Sequence, residues 1–103
     1  MNGLHIHVTG VVQGVGFRPF VYHLARNYEL AGWVKNTSAG VEIEVDGDEI
    51  QLRAFVEHLR TDAPPLARLD QISVTERPPS GYLQFEILHS GKPQLILALN
   101  KHV

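Results

Sequence analysis

Gly10-Val11-Val12-Gln13-Gly14-Val15-Gly16-Phe17-Arg18-Pro19-Phe20, residues 10–20, is where a strand-like alternation stops and a helical pattern starts, with three glycines and one arginine at the junction. Glycine lets a backbone turn through positive φ and approach a ligand closely, so several N–H groups can converge on one point. Pro19 suits the first helical position, where a missing N–H costs nothing. The helix start adds its own unpaired N–H groups and a partial positive charge. Arg18 at that terminus opposes the helix dipole unless both face a shared anion. The stretch therefore reads as a phosphate seat formed by Gln13, Gly14, Val15, Gly16, Phe17 and Arg18, with the guanidinium able to grip two phosphoryl oxygens.

Upstream of the seat, Leu4, Ile6 and Val8 alternate with His5, His7 and Thr9, the period of a strand with one buried and one wetter face. His5 and His7 share the wetter face, but no further ligand is spaced with them, so a metal site is not expected. Downstream, Phe20, Val21, Leu24, Ala25 and Tyr28 recur at helical spacing and predict a helix from about Pro19 to Tyr28, with His23 on its exposed side. Trp33 to Asn36 reads as a short strand, Thr37-Ser38-Ala39-Gly40 as a turn, and Val41, Ile43 and Val45 as the partner strand of a hairpin. Asp48 is a candidate N-cap for a second helix, in which Leu52, Phe55, Val56 and Leu59 repeat at i, i+3, i+4 and i+7 as far as about Arg60.

Pro64-Pro65 cannot continue that helix, and a strand is expected over Gln71 to Glu76 with Ile72 and Val74 inward. A turn at Pro78-Pro79-Ser80-Gly81 leads to a last strand with Leu83, Phe85 and Ile87 on one side. The order β-α-β-β-α-β plus an extra strand predicts an α+β, ferredoxin-like two-layer sandwich, an antiparallel sheet with two helices on one face. One domain over residues 1–90 is expected, followed by a tail, 91–103, readable as an added strand or the start of a linker.

Composition narrows the chemistry. At 103 residues, 44% hydrophobic and 19% charged, the chain is an ordinary globular domain. Its net charge of −2 and lack of basic runs argue against nucleic acid, and the open sheet face offers His5, His7, Glu42 and Glu44 where an RNA binder needs cations and aromatics. The absence of cysteine removes disulfides, thiolate metal sites and a Cys nucleophile. Neither a signal peptide nor a membrane span is legible, so a cytoplasmic location and no membrane partner are expected.

Gly-x-Val-Gln-Gly-Val-Gly-Phe-Arg, followed by Gly32-Trp33-Val34-Lys35-Asn36-Thr37-Ser38-Ala39-Gly40-Val41-Glu42, resembles the two motifs of the acylphosphatase family, in that order, over roughly residues 4–88. The resemblance implies a ferredoxin-like hydrolase of carboxyl phosphates in which the loop backbone and Arg18 bind the phosphate and Asn36 positions the attacking water. It implies catalysis by Arg18 and Asn36 with no metal or other cofactor. Arg18-Pro19-Phe20-Val21 and Pro64-Pro65-Leu66-Ala67-Arg68-Leu69-Asp70 are more similar to the N-terminal acylphosphatase-like domain of HypF-type hydrogenase-maturation carbamoyltransferases. That branch implies carbamoyl phosphate as substrate and further domains of a larger enzyme as partners. A free-standing acylphosphatase and a non-catalytic phosphate-binding module are the alternatives. Ala39-Gly40 stands where the family usually carries Asp-Gly, a departure that bears on the turn more than on the chemistry.

Overall fold

The computed structural model describes residues 1–89. The expectations placed on residue 90 and the tail 91–103 lie outside the described residues. The elements run β1 (Asn2–Val11), α1 (Phe17–Asn27), β2 (Ala31–Thr37), β3 (Gly40–Gly47), α2 (Glu49–Thr61), β4 (Arg68–Arg77) and β5 (Phe85–Leu88). They form one five-stranded sheet in the order β4-β1-β3-β2-β5. Period-two alternation places Leu4, Ile6 and Val8 of β1 opposite Val45, Ile43 and Val41 of β3 on one face. Both helices cover that face, joining it to a single core with Phe17, Val21, Leu24, Phe55 and Leu59. The ferredoxin-like sandwich expected from the element order is thus present.

The sheet is not wholly antiparallel, which corrects one part of the expectation. β1 pairs antiparallel with β3 and β4, and β2 antiparallel with β3, but β5 joins β2 in parallel. The reason lies in the connection over residues 78–84. It leaves β4 at one edge, crosses the open face and enters β5 at the other edge from the same end of the sheet. β5 must then run opposite to β4, the direction β2 already has. Asp46 at the end of β3 holds this strap: its buried Oδ2 accepts the backbone N–H groups of Ser80, Gly81 and Tyr82 at 2.9, 2.8 and 3.2 Å. Arg77 Nη2 lies 3.2 Å from both Asp46 Oδ1 and Glu44 Oε1, bringing β4 into the same cluster.

Two strand assignments need revision. Ile72 and Val74 do lie opposite Val8 and Ile6, on the helix side, but β4 is an edge strand that the helices only partly cover, and Val74 stays 41% exposed. Leu83 belongs to the strap, not to β5, and is 98% exposed. Helix boundaries also shift: α1 starts at Phe17, which places Pro19 third in the first turn, where its missing N–H is still harmless. Asp48 occupies the N-cap of α2 with extended backbone, but its side chain makes no cap hydrogen bond. No described helix is long and apolar enough to cross a membrane.

Candidate active site

Within the stretch expected to seat a phosphate, Gln13 to Arg18, residues 13–16 form an arch pinned at both ends by core side chains, Val12 at 2% and Phe17 at 1% exposure. Gly14 and Gly16 adopt φ of 74° and 82°, and a Cβ at either would meet nothing within 4 Å. Backbone sign alone therefore demands glycine there. Gly10, the third glycine of the stretch, is in β1 at a register shift against β4 and not in the arch.

Gly16 is the N-cap of α1 and offers no side-chain cap, and the first turn carries no acidic residue. Among the described residues, the backbone N–H groups of Gln13 to Arg18 donate to no protein acceptor; the first helical bond is Phe20 N–H to Gly16 O at 3.2 Å. A row of free donors at a helix start attracts an anion, and among the described residues no carboxylate competes for it.

Arg18 is half-buried, and its Nη1 donates at 3.4 Å to the carbonyl of Leu88 at the end of β5. No carboxylate of the described residues pairs with it, so most of its donors remain available. Register brings Asn36 to the same corner. Leu88 lies opposite Lys35 in the β2 and β5 pairing, and Asn36 is the next residue of β2. Asn36 follows the helix-facing parity of Val34, which is fully buried. Its Oδ1 is buried without a hydrogen-bond partner. A buried acceptor left empty costs on the order of 1–3 kcal/mol, and native folds keep such atoms where a ligand or water completes them.

The side chain of Gln13 takes no part in the predicted row of N–H donors. Its Nε2 turns away from the arch and donates to the carbonyls of Thr37 at 2.6 Å and Gly40 at 3.0 Å, the closing pair of the β2 and β3 hairpin. Only its backbone N–H remains with the seat. The hairpin loop closes without the family's Asp, because Ala39 N–H donates to Thr37 Oγ1 at 3.2 Å. Backbone carbonyls carry no sequence signature, so the partners of Gln13 and Arg18 were invisible before folding.

Two concavities among the described residues bear on where a ligand could sit. One of about 330 Å³ lies beside the arch, between Val11 to Gln13 and Ser38 to Gly40. The other, about 710 Å³, lies away from the arch between α2 and the β1 and β4 strands, lined by Leu4, Leu52, Val56 and Val74. Size does not make the second one the site. Its lining cations are already engaged, Arg53 with Glu49 and Arg77 with Glu44 and Asp46, and Glu57 and Glu76 add negative charge that disfavours an anion. The open sheet face is likewise occupied with itself. His5 lies 2.9 Å from Glu44 and 3.6 Å from Glu42, Tyr82 donates to Glu44 at 2.6 Å, and Trp33 donates to Tyr82 at 2.9 Å. Burial pushes the Glu44 carboxyl up, but the hydrogen bonds from Tyr82 and His5 and the Arg77 charge outweigh it and hold the group below its ordinary value.

The family described as Acylphosphatase matches residues 4–87. A carbamoyltransferase HypF of Rhizobium leguminosarum bv. viciae is 55% identical over 87 residues, which are 84% of this chain and 11% of that protein. An acylphosphatase of Bacillus subtilis is 47% identical over 87 residues, 82% of this chain and 94% of its own length. Among solved structures, full-length HypF in a phosphate- and nucleotide-bound form superposes with a TM-score of 0.83 at 40% identity, covering 87% of this chain and 12% of that one. The chain thus spans about a tenth of the length of the carbamoyltransferases it matches, and nearly the full length of the small acylphosphatase.

Proposed function

The chain belongs to the acylphosphatase family, and from that premise we propose that it hydrolyses acyl phosphates to a carboxylate and inorganic phosphate, with carbamoyl phosphate the candidate substrate. The single observation that carries this reading is the pairing of an unopposed Arg18 and free N–H row with the empty, buried Asn36 Oδ1 at one corner of the sheet. The leaving group is a carboxylate, whose conjugate acid has a pKa of roughly 4, so it departs unprotonated and needs no general acid. Three tasks remain: holding the phosphoryl group, balancing its charge and aiming a water. Arg18 and the N–H groups of Gln13 to Arg18 perform the first two.

Asn36 Oδ1 accepts from the water and directs its oxygen at phosphorus, in line with the acyl oxygen. The new P–O bond forms as the old one breaks, the carboxylate leaves with the bonding pair, and the protons of the water end on phosphate and solvent. None of these tasks calls for a metal, a Cys or a nucleophilic Ser. The 55% identity to a HypF carbamoyltransferase supports carbamate as the released acid and a place as the N-terminal domain of such an enzyme. Later carbamoyl transfer would belong to the rest of that larger protein.

The test is release of inorganic phosphate from carbamoyl phosphate and benzoyl phosphate with chelator present, for the wild type and Arg18→Ala. Chelator-resistant turnover that falls roughly 10³-fold in the variant is expected, the scale of arginines on transferring phosphates. Wild-type turnover no faster than the uncatalysed rate would reject hydrolysis, and loss on chelation would reject the metal-free site. A preference for benzoyl phosphate would count against the carbamoyl assignment.

A further inference from the structure

We infer that Gln13 is a positioning residue: its side-chain amide clamps the phosphate arch to the hairpin that carries Asn36 and sets the distance between bound phosphate and attacking water. The inference rests on the hydrolase reading above for its catalytic consequence, but the clamp itself stands on geometry. Arch and hairpin are far apart in sequence, and the described side-chain hydrogen bonds joining them are the two from Gln13 Nε2, to Thr37 O and Gly40 O. Thr37 immediately follows Asn36, so one of the two anchors is a single peptide away from the water-directing amide.

The chemistry selects glutamine. Two carbonyl acceptors converge on one point, which only a double donor satisfies, so the amide nitrogen must face them. Lysine or arginine would also donate twice, but each would add a cation within reach of the anion and compete with Arg18 for it. Glutamate would set a carboxylate against two carbonyl oxygens. A neutral double donor fixes the geometry and leaves the charge of the site to Arg18.

Two variants test this: Gln13→Met, of similar length with no donor, and Gln13→Glu. The readouts are kcat on an acyl phosphate, Ki for inorganic phosphate, and amide hydrogen exchange at Ser38, Ala39 and Gly40 in the ligand-free protein. For Gln13→Met, kcat is expected to fall roughly 10- to 100-fold, the scale of an ångström-level misplacement. Its phosphate Ki should stay within about twofold, because the groups that hold the anion are intact. Exchange in the hairpin loop should quicken. For Gln13→Glu, the kcat ratio to wild type should recover in part as the pH drops and the carboxyl gains one proton, enough to restore one of the two bonds, whereas the Gln13→Met ratio stays flat.

A Ki that rises as steeply as kcat falls would overturn the inference, since Gln13 would then be gripping the anion itself. Unchanged kcat with unchanged loop exchange would also overturn it. If the wild type shows no turnover, the hydrolase reading fails and takes the kcat half of the inference with it. The exchange comparison still decides the clamp on its own, faster exchange in Gln13→Met supporting it and equal exchange removing it.

Discussion

Asn36 holds a buried oxygen with no partner, and that cost has a measurable counterpart. Replacing it by Ala removes an unsatisfied acceptor, so stability should hold level or rise even as function drops. We expect Asn36→Ala to lose on the order of 10²-fold in kcat, comparable to the loss of one preorganised polar group. Thermal unfolding of the same sample should show no fall in midpoint; a marked fall would make Asn36 a structural residue of the strand end. Arg18 was legible from sequence because a cation at a helix start needs an explanation. Its partner was not, since the Leu88 carbonyl comes from a strand 70 residues later. The same holds for Gln13: the motif names the residue, and only the hairpin's approach to the arch says where its amide points.

The strap over residues 78–84 shows how an element is placed by residues outside it. Asp46 holds three of its N–H groups and faces Arg77, nearly sealed from water. Asp46→Ala would leave Arg77 with Glu44 as its one carboxylate partner among the described residues and free the strap's three N–H groups, a loss of about 3 kcal/mol, the lower end for a broken buried pair, to be read from urea denaturation. A cost under about 1 kcal/mol would show the strap is held elsewhere. Beside it, Glu44 gives the strap its pH dependence. Its pKa in the folded protein lies below the ordinary 4.5, so unfolding takes up a proton in the window between the two values. The stability it contributes is therefore complete above about pH 4.5 and is lost as the pH falls through the lower, folded value. Glu44→Gln should flatten that acid limb of the stability curve, and an unchanged limb would assign it to other carboxyls. β5 was the least legible element. Leu83, Phe85 and Ile87 alternate convincingly, yet Leu83 projects into solvent because the strap has not reached the sheet edge when it passes.

Among the described residues, the centre of the core lies away from the proposed site, which touches it through Val12 and Phe17. The core gathers Ile6, Ile43, Phe55 and Leu59 between the sheet and α2, whereas the proposed site uses the end of β1, the start of α1 and the β2 and β3 hairpin. Phe55→Ala should cost about 3–5 kcal/mol by opening a cavity. That is a large share of the roughly 5–15 kcal/mol a domain possesses, yet kcat well below the melting point should be unaltered, as parallel denaturation and turnover measurements would establish. A proportional loss of kcat would mean that α2 supports the site. What the amino-acid sequence determined by itself is everything that depends on neighbours along the chain: the alternation of β1 and β3, the period of both helices, the turn at Thr37-Ser38-Ala39-Gly40, and the glycine pattern of the arch, where positive φ admits little else. What only the tertiary structure decided is everything that depends on which backbone arrives from elsewhere: the parallel seat of β5, the burial of Asp46 under the strap, the carbonyls that receive Gln13 and Arg18, and the empty acceptor on Asn36. Local periodicity is a property of side chains in sequence. A hydrogen bond to a distant carbonyl is a property of the closed fold, because every residue carries the same carbonyl and only packing selects one.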